Sequence, residues 1–69
     1  MTFHIEFDRE DDGRWIADVP ELPGVLAYGS TQEEARAKAE ALTLRVLADQ
    51  IEESKKALTS AVTFGAEFE

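Results

Sequence analysis

His4, Glu6, Asp8 and Asp18 are the residues whose types and spacing could do chemistry in this chain. Carboxylates gathered on one face of a sheet can hold a divalent cation and drive metal-assisted hydrolysis of a phosphodiester. The placements expected below set Glu6, Asp8 and Asp18 on one outer sheet face. They bring no fourth ligand from the helix, whose first acids, Glu33 and Glu34, stand at its solvent-facing start. The better reading is a solvated acidic face. His4 has no second histidine with which to form a metal pair. Ser30 and Thr31 have no base beside them to make either a nucleophile. No phosphate-loop motif surrounds Gly24 and Gly29. Trp15 and Tyr28 could stack on bases, but basic neighbours are lacking, so a packing or protein-contact role is expected. Neither a catalytic residue nor a cofactor or metal site follows from these residues.

The elements that must position them begin with Thr2 to Asp8, where Phe3, Ile5 and Phe7 alternate with His4, Glu6 and Asp8. That alternation predicts a half-buried strand. Asp11-Asp12-Gly13 predicts a turn. A three-residue loop with Gly13 in the left-handed region sets Phe7 opposite Ala17 and Ile5 opposite Val19. A two-residue turn would instead set Phe7 opposite Asp18 and mix apolar with charged residues. The longer loop is therefore expected. It leaves Ile16 and Asp18 on the face of His4, Glu6 and Asp8, with Trp15 opposite Arg9.

Next comes a proline-bracketed corner. Val19 precedes Pro20 and Leu22 precedes Pro23, and each proline pushes its predecessor towards extended backbone. Gly24 supplies the φ needed to leave the corner. Val25 to Tyr28 is a short third strand whose buried face is not legible from four residues. Gly29 ends it. Ser30 or Thr31 then caps a helix, and each has a glutamate three residues on, Glu33 or Glu34, so both registers make a capping box.

The helix is expected from about Thr31 to about Glu53. Ala35, Ala39, Leu42 and Val46 form the stripe assigned to the sheet. Ala37, Ala41, Leu44, Ala48 and Ile51 make a second stripe on nearly the opposite side, with Leu47 flanking. A helix on one sheet needs a single stripe, so the second is expected to meet another copy of the chain. Leu58, Ser60, Val62, Phe64, Ala66 and Phe68 then alternate with Thr59, Ala61, Thr63, Gly65 and Glu67 as a fourth strand. A right-handed crossover makes it parallel to the third. The expected fold is α+β, in the order β-β-β-α-β: a three-strand antiparallel meander, one long helix packed on it, and a fourth strand.

Composition bounds the rest. Sixty-nine residues with fifteen acidic and seven basic side chains, net charge −8, make a single domain over residues 1–69. Direct nucleic-acid binding is disfavoured, because it rests on cationic contacts to phosphate. Basic proteins are the partners such a chain attracts. There are no cysteines and no apolar run of the roughly 20 residues that a membrane span needs. A cytoplasmic location is expected. Cores of domains below about 70–80 residues seldom supply more than about 3–5 kcal/mol unaided, so a homo-oligomer, dimer or tetramer, is expected too.

Two stretches in order carry a resemblance. Trp15 lies on a strand that leads into Pro20, Glu21, Leu22, Pro23 and Gly24; a short strand follows, then Gly29, Thr31, Glu33, Glu34 and Ala35 opening the helix. This pattern resembles the HicB-like antitoxin family, over roughly the first two thirds of the chain. The resemblance implies a reduced RNase H-like fold with the fourth strand beside the first. It implies an antitoxin that binds and blocks a HicA-type toxin, a small basic ribonuclease. Glu6, Asp8, Asp18 and Glu21 are then the expected toxin contacts. Many relatives append a DNA-binding unit, and the expectation here is a short form without one. The rival readings are an oligomeric adaptor or ligand-binding domain with no toxin partner, and, more weakly, a carboxylate–metal nuclease.

Overall fold

The alternating apolar residues at the start of the chain build β1 (Thr2–Arg9), in which Phe3, Ile5 and Phe7 are buried and His4 and Asp8 exposed. The computed structural model describes residues 1–68, with side chains as far as Ala66. After β1 come β2 (Trp15–Asp18), β3 (Leu26–Gly29), α1 (Gln32–Ser54) and β4 (Thr63–Phe68). The strands form one mixed sheet in the order β3-β2-β1-β4. β2 is antiparallel to both β1 and β3, and β4 is parallel to β1, so β3 and β4 run the same way. The architecture is α+β, with one long helix on one side of the sheet.

The first hairpin has the longer loop. Phe7 faces Ala17, Glu6 faces Asp18 and Arg9 faces Trp15. Glu10 N–H donates to the Arg14 carbonyl at 2.8 Å and Gly13 N–H to the Glu10 carbonyl at 2.9 Å, closing Asp11-Asp12-Gly13 with Gly13 at φ 93°. Register follows from burial: this pairing alone keeps Phe7 and Ala17 together on the covered side.

Two tandem turns make the corner. Leu22 N–H donates to Val19 and Val25 N–H to Leu22, each at 3.0 Å, while Val19 N–H donates to Val25 across the base at 3.1 Å. Each turn has proline at its second position, and the second has Gly24 at its third with φ 93°. That is the residue pattern of a type II turn. Val25 and Ala27 are buried, which settles the inward face of the third strand.

Thr31 is the N-cap of α1, its hydroxyl accepting from Glu34 N–H at 3.1 Å. The Glu34 carboxylate reaches back to Ser30, accepting from its hydroxyl at 3.2 Å. The helix meets the sheet through Ala35, Ala39, Thr43 and Leu47. This corrects the expected stripe in its second half: Leu42 and Val46 are only partly buried beside the core, and Leu47 lies in it. Small residues at 35 and 39 let the helix approach closely, and the contact then continues along the i+4 ridge. Thr43 breaks the apolar pattern because it is polar, but its hydroxyl donates to the Ala39 carbonyl at 2.9 Å and needs no water.

α1 ends on Lys55, in the left-handed region at φ 58°, with its N–H donating to Ile51 at 2.7 Å. Residues 55–62 belong to no strand, and Leu58 is 42% exposed. The expected fourth strand therefore loses Leu58 to Val62. The reason is its neighbour: pairing with β1 starts at Thr2 opposite Thr63, and residues before Thr63 have no β1 residue to face. Phe64 stacks near Phe3 with ring centroids 6.1 Å apart. The expected placement of the Glu67 and Phe68 side chains lies outside the described side chains, and Glu69 lies outside the described residues. The radius of gyration is 12.9 Å, against about 11 Å for a compact chain of this length. A helix of 23 residues, about 34 Å long at 1.5 Å per residue, overhangs strands of four to eight residues.

Candidate functional site

The helix lies on one side of the sheet, chiefly over β2 and β3, and leaves the other side open. On the open side stand His4, Glu6 and Asp8 from β1, Ile16 and Asp18 from β2, and Leu26 and Tyr28 from β3. Alternation along each strand puts them there, because their odd-numbered neighbours fill the core. Glu6, Asp8, Ile16, Asp18 and Leu26 line one shallow depression. Glu6 and Asp18 are directly opposed across the ladder. Like charges in that position oppose folding. One carboxylate oxygen of Asp18, Oδ1, is buried and has no hydrogen-bond partner among the described residues. Leu26 and Tyr28 expose 43% and 40% of their surface on the same face. The result is an acidic surface with apolar residues along one border.

Of the four expected toxin contacts, the sheet brings together Glu6, Asp8 and Asp18. Glu21 sits apart, on the corner. Both its carboxylate oxygens accept from His4 N–H at 3.1 Å, and one also meets His4 Nδ1. The hydrogen bond from the His4 side chain holds the Glu21 carboxyl below the usual glutamate range, and the His4 N–H adds to it. At the hairpin tip the backbone N–H of Arg14 does the same for Asp12, assisted by its guanidinium. The Lys38 ammonium, at 3.2 Å, holds Glu34 low.

The motif residues serve the fold. Leu22 packs on the core, Pro20, Pro23 and Gly24 shape the two turns, and Thr31 and Glu34 cap the helix. Gly29 does more than end a strand. A Cβ there would lie 2.5 Å from Ala35 N and 2.9 Å from the Thr31 carbonyl, so glycine lets β3 touch the first turn of α1. Trp15 packs beside the core with the Arg9 guanidinium 5.3 Å from its ring centroid. Tyr28 lies on the open side under Arg14, at 4.9 Å. This corrects the expectation that the two aromatics lack basic neighbours, since a guanidinium lies over each ring. The rings are nevertheless on opposite faces of the sheet and make no common stacking platform.

Among the described residues, no group of three histidine, cysteine or acidic side chains is placed to hold a metal ion, and no helix is long and apolar enough to cross a membrane. Along the second helical stripe, Ala37, Leu44 and Ala48 are exposed, Leu44 by 50%, while Ala41 and Ile51 are half-buried. Sequence reasoning missed the His4–Glu21 tie. The signal was present: the expected register sets Pro20 opposite His4, where the chain turns away and leaves the His4 N–H without a strand partner. Compared with known proteins, the chain matches no protein-family model, no curated protein and no solved structure.

Proposed function

We propose that this chain is a HicB-like antitoxin of reduced RNase H-like fold, a cytoplasmic protein that neutralises a small basic ribonuclease by covering its RNA-binding face. The observation that carries the reading is the open side of the sheet, where Glu6, Asp8 and Asp18 share one surface that the helix leaves uncovered. A lysine or arginine of the partner entering there offsets the negative charge that Asp8 and Asp18 place on this face. Leu26 and Tyr28 add apolar contact at the border. The net charge of −8 steers a cationic partner inwards. Binding, not catalysis, is the activity in this reading, with neither cofactor nor direct nucleic-acid contact. Co-expression with a HicA-type toxin tests it. Growth should be rescued and a complex should co-purify, and charge reversal of Asp8 and Asp18 should slow association and flatten its salt dependence. Persistent arrest beside abundant soluble protein, with no complex, would sink it.

One observation favours the second reading, an oligomeric adaptor with no toxin. The stripe of Ala37, Ala41, Leu44, Ala48 and Ile51 leaves Leu44 half exposed on a helix already packed through its other side. Analytical ultracentrifugation at micromolar concentration decides whether copies associate. Leu44→Glu should then dissociate them, and a monomeric wild type removes the reading's support.

A further inference from the structure

The outer edge of β3 has its own chemistry. Val19 N–H donates to Val25, so in this antiparallel ladder the pairs Ala17–Ala27 and Trp15–Gly29 are the hydrogen-bonded ones. Leu26 and Tyr28 are in the alternate pairs, and their N–H and C=O groups point away from β2. β3 ends the sheet, so these four groups face outwards along an edge. Beneath the edge, between β3 and α1, runs a groove lined by Ala41 and Leu42 and flanked by Lys38 and Arg45. In a chain of net charge −8 the cations are few, and this edge holds Arg45 and Lys38 on the helix side and Arg14 over Tyr28 on the open side. Lys38 shares Glu34; Arg45 has no ion pair among the described residues.

We infer that the β3 edge takes an extended acidic segment of a partner protein as an added strand, with a small apolar side chain on Ala41 and Leu42 and carboxylates reaching Lys38 and Arg45. Strand addition satisfies the outward groups of Leu26 and Tyr28 and leaves alternate side chains to set specificity. The spacing fits. Seven residues of helix separate Lys38 from Arg45 by about 10 Å, and side chains four residues apart on a strand are about 13 Å apart, a gap that two long cationic side chains close. A second copy fits less well. Pairing β3 with its symmetry mate would set Lys38 and Arg45 of one copy against the same cations of the other. This surface adjoins the acidic face, with Leu26 on the border of both, but uses the backbone edge and the helix side and does not depend on the toxin reading.

The test uses the full chain and the capped peptide Glu-Thr-Val-Thr-Glu as probe, followed by NMR. Amide exchange at Leu26 and Tyr28 should slow and the resonances of Ala41 and Leu42 should shift. Methylating alternate peptide nitrogens should abolish both effects without touching the protein. Arg45→Glu, exposed on the helix and not expected to disturb folding, should weaken binding about tenfold through loss of one charge-assisted contact. Three results would overturn the proposal: no response to the acidic peptide, an equal response to Lys-Thr-Val-Thr-Lys, or protection of Leu26 and Tyr28 that rises with protein concentration alone. The last would assign the edge to a second copy.

Discussion

Glu21 accepts the backbone N–H of His4 through both carboxylate oxygens, at 3.1 Å each, and so takes the place of a strand where β2 stops. In the expected register Pro20 faces His4, but Pro20 is already the second residue of a turn. A side chain seventeen positions along from His4 closes the ladder instead. The acid in the Pro-Glu-Leu-Pro-Gly corner is thereby a structural residue first.

Glu21→Gln should destabilise the fold near neutral pH, and the loss should depend on pH. The Glu21 carboxyl is held below its ordinary value of 4.5. A group with a depressed native pKa contributes stability above its unfolded pKa and loses it as pH falls through the native one. Chemical denaturation of wild type and variant should therefore diverge above pH 4.5 and converge below it. Equal stability at all pH values would show that the tie contributes nothing in solution.

Gly29→Ala and Gly24→Ala should both destabilise, for different reasons. At Gly24 the space is open and the cost is the φ of 93°, about 1 kcal/mol or more. At Gly29 the added Cβ meets backbone atoms of Ala35 and of the N-cap Thr31 at 2.5 and 2.9 Å, and strand or helix must move. Overpacking of this kind typically costs about 1–3 kcal/mol. Gly29→Ala should also loosen the first turn of α1, seen as faster amide exchange at Glu34 and Ala35. The same exchange in both variants would place the close approach elsewhere.

Leu47→Ala should cost about 2–5 kcal/mol, as for a buried leucine, and Leu44→Ala should stay within about 0.5 kcal/mol, as for an exposed one. The comparison separates the two sides of α1 by thermal unfolding. It also shows where the sequence was readable. The hairpin register was legible because the two-residue alternative would set Phe7 opposite Asp18, although Gly13 suits either loop. The helix start was legible to within one residue, Ser30 and Thr31 each having a glutamate three positions on, and the structure settles it on Thr31. The helix face was half legible: Ala35 and Ala39 stood out, while Thr43 is polar by type and buried by virtue of a bond to its own helix. Leu47 lay between two stripes, and only the helix's seat over β2 and β3 decides between them. The fourth strand was read too long because alternation continues where pairing does not. Of the candidate site, the strand residues followed from register, but the role of Glu21 depended on how the corner folds back.

Asp18→Asn should stabilise the protein by about 0.5–1 kcal/mol while weakening its proposed binding of a cationic partner. Asp18 faces Glu6 directly, and opposed like charges on a ladder cost a few tenths to about 1 kcal/mol. An amide in that place can donate to the Glu6 carboxylate, and the pair turns from repulsive to attractive. The partner would lose the same negative charge, so association with a HicA-type toxin should slow, most at low salt. Denaturant melts and stopped-flow association measured on one preparation make the two effects comparable. A gain in stability with unchanged association would mean that the acidic face does not meet the partner. A loss of stability would mean that the charge of the Asp18 carboxylate contributes to the fold in solution and that its opposition to Glu6 does not dominate.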